Sequence, residues 1–284
     1  MARLLRDLDY NRIIQADNLL QIIESNQQTK IDVEQAAQAE MIGYLSQRYK
    51  VGEIFSNTSL YATANVYYAK NLVEYTETAF NPLTTYITGN RVLYNGFIYS
   101  SIAGSVPHAF LLAEWNLICA DKSLFYVTLP NPEFDYNATY QIGDIVWYEN
   151  NYKYTCVKPC KNINPLNTEF WGTPTLFSIT GQLPTNTTYW TVGDNRNQQI
   201  VLFLIDVTLY HLHSRINPRN IPDLRKERYN GNSPNDSGGA IGWLKSVSKG
   251  NVNADLPIFT PEQGMSIRYG NSANYYTPNH NQLW

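Results

Sequence analysis

The sequence predicts an α+β protein with three parts: a helical bundle built from both chain ends, a central insertion of two small β-hairpin modules, and an extended C-terminal tail. Three observations carry that prediction. Apolar residues recur at helical spacing near both ends. Short aromatic runs punctuated by Gly, Asn and Pro fill the middle. The stretch from Asn251 to Trp284 shows no period at all.

The elements follow in order. "DNLLQIIESN" pairs Leu19 and Leu20 with Ile22 and Ile23 and stops at polar residues, as a short helix would. "KIDVEQAAQAEMIGYLSQRY" places Val33, Ala36, Ala37, Met41, Tyr44, Leu45 and Tyr49 near i, i+3, i+4 spacing. Thr29 and Asp32 are its candidate caps. "TSLYATANVYYAKNLVEYTETAF" is rich in β-branched and aromatic residues and is read as partly helical. Residues 1–80 therefore belong to the helical part, which resumes over 190–250.

Residues 81–189 form the insertion, and two stretches within it repeat each other. "TTYITGNRVLYNGFIYSSI" starts at Thr84, and "ATYQIGDIVWYENNYKYTCV" starts at Ala138. Tyr86 matches Tyr140, Gly89 matches Gly143, Val92 matches Val146, and Tyr94 matches Tyr148. After one inserted residue, Phe97 and Tyr99 match Tyr152 and Tyr154, and Trp115 matches Trp171. Two repeats result, at about 84–118 and 138–174. Each reads as a hairpin around a positive-φ turn with a Trp packed across it. A partial echo, "TTYWTVGD" at 187–194, reads as a closing strand.

"DNRNQQIVLFLIDVTLYHLHSRI" then opens a helix of about 20 residues that is apolar over most of its circumference. "PDLRKERY" starts another, with Pro222 in its first turn. "NGNSPNDSGG" interrupts it, and "AIGWLKSVSKG" resumes it up to Gly250 as the residue past its end. The tail, 251–284, is read as an arm laid on a partner because Phe259, Tyr269, Tyr275, Tyr276 and Trp284 lie in it.

Composition narrows the function. Charged residues make up only 16% of the chain, well below the roughly 25% of ordinary soluble domains. Amides, hydroxyls and 22 Tyr take their place, a composition suited to protein contacts. The net charge of −3, with no basic stripe, argues against general nucleic-acid binding. The first residues hold no apolar signal core, and Asp206 breaks the longest apolar run. Synthesis in a cytoplasm without membrane insertion is the expectation. Cys119, Cys156 and Cys160 are expected as free thiols.

No constellation points to catalysis or to a cofactor. "NDSGGA" echoes the nucleophile loop of trypsin-like proteases, but no His stands in a matching context for Ser237. His211 and His213 are two residues apart and fall on different helix faces. Cys156 and Cys160 lack the second ligand pair that zinc needs.

Two resemblances add to this reading. In order, "IDVEQAAQAEMIGYLSQRY" (31–49), "NQQIVLFLIDVTLYHLHSRI" (197–216), "IPDLRKERY" (221–229) and "WLKSVSKGNV" (243–252) resemble phage head-to-tail connector or adaptor proteins related to the small helical neck protein of Mu-like prophages. The resemblance covers about 110 residues; the β insertion and the "GNSPNDSGG" break depart from the family pattern. It implies a homo-oligomeric ring, twelve-fold, in the virion neck between the portal protein and downstream neck or tail proteins. DNA would pass through that ring without sequence-specific binding. Tyr44, Arg48, Tyr49, Arg228, Tyr229 and the five tail aromatics would face the portal or the adjacent subunit.

The central repeats look like small chitin-type carbohydrate-binding modules. The second copy has Asp144 in place but Asn151 where that motif has Gly; the first has Asn90 for the Asp and keeps Gly96. This resemblance implies the alternative reading, a glycan-binding decoration or receptor-binding protein with Trp147, Tyr148, Tyr152 and Trp171 as a sugar-stacking surface.

Overall fold

The computed structural model describes residues 3–24, 26–55, 58–104, 106–128, 130–148, 151–216, 218–231 and 238–258. Helices come first: α1 (Ala16–Ile22), α2 (Gln27–Leu45) and the single turn α3 (Val51–Ile54), after a 3-10 turn at Asp7–Arg12. Strands then begin earlier than expected. Residues 58–80, read from the sequence as partly helical, hold β1 (Thr58–Leu60), β2 (Val66–Tyr67) and β3 (Leu72–Tyr75). β-branched and aromatic side chains lose rotamer freedom on a helix and pack well on a pleated surface. Here Leu72, Val73 and Tyr75 are all buried.

The strands continue as β4 (Arg91–Tyr94), β5 (Phe97–Ser101), β6 (Trp115–Ala120), β7 (Ser123–Val127), β8 (Thr139–Tyr140), β9 (Ile145–Tyr148) and β10 (Tyr152–Thr155). β11 (Cys160–Lys161), β12 (Thr175–Leu176), β13 (Ile179–Thr180) and β14 (Trp190–Val192) complete five small sheets.

Their hydrogen bonds define three copies of one unit, where the sequence had suggested two. The hydroxyl of Tyr67, Tyr86 or Tyr140 accepts from the backbone N–H of Ala62, Asn81 or Asp135, at 2.6, 2.8 and 2.7 Å. It donates back to the carbonyl of the same residue. Three residues after each Tyr stands a positive-φ residue: Lys70, Gly89 or Gly143. Its N–H donates to the carbonyl of Val127, Ser101 or Cys156, whose own N–H goes to the carbonyl of Asn71, Asn90 or Asp144. A buried Trp190, Trp115 or Trp171 closes the unit.

The first copy is split. Its hairpin pairs β3 with β7, and the loop between those strands holds the whole second copy, β4–β5–β6. The third copy, β8 to β12, lies between β7 and the first copy's closing strands β13 and β14. "TTYWTVGD" is thus the end of a full unit and not an isolated closing strand. β structure runs from Thr58 to Val192, beyond the expected 81–189.

A helical bundle built from both ends around two inserted modules is therefore not the architecture. The chain is mixed, with β content filling its centre. Among the described residues, the long helices are α2 and α4 (Gln198–Ile216), at 19 residues each. α5 (Asp223–Asn230) and α6 (Gly239–Ser248) span 8 and 10. α6 holds by burying Ala240, Ile241, Leu244 and Val247 rather than by propensity, while α5 buries no residue fully and leans on the core through Tyr229. Leu4, Met41, Leu45, Ile200, Leu204 and Leu244 share one apolar cluster.

The ends of the helices also differ from expectation. Asn26, not Thr29 or Asp32, caps α2: its Oδ1 accepts from Gln28 N and Thr29 N at 3.0 and 3.3 Å. Asn197 does the same for α4, with Gln199 N at 3.0 and Ile200 N at 3.1 Å. Each such cap contributes about 1 kcal/mol. Pro222 precedes α5 as its cap and is not in its first turn. At the end of α6, Gly250 N donates to Val247 O and Asn251 N to Ser246 O, closing a Schellman turn. Of "NDSGG" (235–239), Asn235, Asp236 and Ser237 lie outside the described residues, while Gly238 precedes α6 as its cap and Gly239 starts it.

Candidate interaction surface

Sugar stacking needs rings presented to solvent, and the structure does not bring the four candidates together that way. Trp171 is 1% exposed. Its Nε1 donates to Ile163 O at 3.0 Å, and Tyr140 and Phe134 meet it edge-on at 5.2 and 5.8 Å. Trp147 is also buried, edge-on to Phe177 at 5.0 Å. The half-buried Tyr148 hydroxyl accepts from Asn164 Nδ2 at 2.7 Å. Trp171 is core because each unit closes on a buried Trp, whereas Trp147 is buried by the Phe177 ring that follows β12. Only Tyr152, 37% exposed, faces solvent, and its counterpart at the start of β5, Phe97, is 44% exposed.

The expected interface residues divide in two. Tyr49 is wholly buried and bridges to Ile258, so it is core and not surface. Arg48 lies 5.7 Å from the Tyr49 ring and packs against Gly250. Gly250 sits at φ +77°, and a Cβ there would strike the Arg48 guanidinium. Tyr44, Arg228 and Tyr229 are half-buried on neighbouring parts of α2 and α5. Phe259, Tyr269, Tyr275, Tyr276 and Trp284 lie outside the described residues.

Around Tyr229 the structure assembles a polar and aromatic face from three helices. The Tyr229 hydroxyl donates to Glu40 Oε1 at 2.6 Å, and His211 Nε2 lies 2.7 Å from Glu40 Oε2. Tyr229 stacks flat on Tyr210, with centroids 3.9 Å apart and planes 2° from parallel. The hydrogen bond from His211, joined by that from Tyr229, holds Glu40 below the usual carboxylate value despite partial burial. Burial first, and then bonding to Glu40, raises the Tyr229 hydroxyl, with Tyr210 and Tyr44 adding to the effect. The group is therefore a carboxylate held by two donors.

One turn away, Arg228 Nη1 donates to the buried Asp206 Oδ1 at 2.9 Å. Burial lifts Asp206 above its ordinary value against that pull. Burial also lowers Arg225, and it lowers His213 with Arg225 adding to the effect. Arg228 and Arg225 thus flank the Asp206 carboxylate, and this edge of the face is ionic.

The sequence reading separated His211 from any partner because its Glu is 171 residues away. Its signal was polarity within an apolar stretch: Asp206 and His211 lie in the largely apolar run "IVLFLIDVTLYHLH". Among the described residues, no group of three or more His, Cys, Asp and Glu is arranged to hold a metal ion. No helix there is long and apolar enough to cross a membrane. Neither protein-family models nor curated proteins match the chain.

Proposed function

We propose that the chain is a structural virion protein of the head-to-tail connector class, a self-associating ring between the portal vertex and the tail. The observation that supports this reading is the α2–α4–α5 face. There Tyr44, Tyr210 and Tyr229 lie half-exposed over fixed polar partners, on segments that carry the resemblance to connectors. Pre-ordered tyrosines with a charged rim are the side chains that protein interfaces favour, because little entropy is lost on docking. The low charged fraction of 16% and net charge of −3 would let DNA pass through a ring without sticking. The chain would act mechanically, with its aromatic arm from 251 reaching the portal or a neighbouring subunit.

The test is co-purification of the full-length chain with its portal protein. A stoichiometric complex, weakened by deleting residues 259–284, is expected. Failure of the full-length chain to associate would refute the reading.

A second reading rests on Phe97 and Tyr152, exposed at the same position of two β-units. Rings repeated in register are what a glycan-binding decoration would present. Binding of the full-length chain to a glycan array, lost in Tyr152→Ala and Phe97→Ala, would favour it.

A further inference from the structure

Cys156 and Cys160 are 0% and 7% exposed and belong to the apolar cluster around Trp171. The Cys156 thiol donates to Lys158 O at 3.1 Å. The backbone of Cys156 bridges to Trp171 and that of Cys160 pairs with Tyr140, two rings of the same cluster that meet edge-on at 5.2 Å. The other units show what these two positions require. In the first unit, Val127 makes the backbone exchange that Cys156 makes, and Ile179 faces Tyr67 as Cys160 faces Tyr140. In the second, Ser101 stands in the place of Cys156 and donates to Ala103 O at 2.5 Å. An apolar side chain or a hydroxyl therefore satisfies the fold. Sulfur is not needed for packing or for the turn, yet the third unit buries two cysteines, four residues apart, in one small cluster.

We propose that Cys156 and Cys160 are an oxidisable thiol pair that closes into an intramolecular disulfide when the protein meets a small-molecule disulfide oxidant. The thiolate of the more accessible Cys160 attacks the oxidant's S–S bond, forming a mixed disulfide and releasing one small thiol. Cys156 then attacks the Cys160 sulfur and releases the second. The two protein thiols give up two electrons and two protons, which leave on the two small thiols. Burial, with Cys156 beside it, pushes the Cys160 thiol up to about 11. Closure is therefore slow at neutral pH and quickens as the medium becomes alkaline. Once formed, the bond ties the start of β11 to the end of β10, where Cys156 bridges to Trp171. Cys119 lies on β6 in a different unit and stays single.

The test uses the full-length protein incubated with oxidised glutathione at about pH 9, where the Cys160 thiolate, still the minor form, is far commoner than at neutral pH. It is then acid-quenched, unfolded, alkylated with a maleimide and weighed. One alkylated thiol, Cys119, is expected in place of the three of the reduced chain, with an internally closed peptide spanning 156–160. In Cys160→Ser, Cys156 and Cys119 both remain free of any internal bond. Three alkylated thiols in the wild type after long incubation would overturn the proposal. So would glutathione retained on Cys160, or chains cross-linked to one another.

Discussion

Arg196 and Asp9, 187 residues apart in the chain, form a two-pronged ion pair at 2.7 and 3.0 Å with both side chains sealed from solvent. Arg196 also holds Asp194 at 2.7 Å and donates to Leu4 O. The start of the chain is thereby fixed to the point where the β-units hand over to α4. Removing one partner of a buried pair leaves an uncompensated charge and costs roughly 3–5 kcal/mol. Arg196→Met is expected to lower the unfolding free energy measured by denaturant titration by an amount in that range. A shift under about 1 kcal/mol, the scale of a surface pair, would contradict it.

The same carboxylates set the acid limit of stability. Burial alone would raise Asp9 and Asp194, but hydrogen bonds from Arg196 outweigh it and hold both below the ordinary carboxylate value. Glu40 is lowered too, by His211 and Tyr229. Groups with depressed folded-state values stabilise above their unfolded value, near 4, and lose that contribution as pH falls through the folded one. Thermal melting is therefore expected to stay level across neutral pH and to fall below about pH 4. In Arg196→Met the acid decline should be shallower.

The nested β-units predict unequal effects of equal substitutions. Trp171→Ala and Trp190→Ala each remove a buried indole, at about 3–5 kcal/mol. The third unit is inserted in the first, so loss of Trp171 should open residues 130–177 alone. Loss of Trp190 should loosen the host hairpin and expose the whole of 58–192. Limited proteolysis mapped by mass spectrometry distinguishes them, and identical cleavage patterns would refute the nesting.

Gly250 ends α6 at φ +77°, in contact with Arg48. Gly250→Ala adds a left-handed penalty of roughly 1–2 kcal/mol and displaces the Arg48 guanidinium. A melting temperature lowered by several degrees is expected. Arg48→Ala in the same chain should recover part of that loss.

Helix existence was legible where period and composition agreed, as in α2 and α4. Local sequence also marked the Schellman turn at Gly250. The repeat was legible only where its copies were contiguous. Tyr86 and Tyr140 aligned because each is followed without interruption by its own hairpin. Tyr67 obeys the same rule, but its second strand, β7, comes after an entire other unit, so alignment along the chain missed it. The bundle expectation failed for a related reason: Val66, Tyr67, Val73 and Tyr75 were counted as helical before the pairing that buries them as strands was visible. Side-chain partners were the least legible part. Nothing local joins Glu40 to His211, or Asp9 to Arg196, because folding alone makes those pairs neighbours.

The most direct measurement is the native mass of the full-length protein, alone and mixed with its portal. The account predicts a closed ring of about a dozen copies or a stoichiometric portal complex. Tyr44→Ala with Tyr229→Ala should break either one while leaving the fold intact by circular dichroism. A wild-type chain that stays monomeric with and without the portal would contradict it.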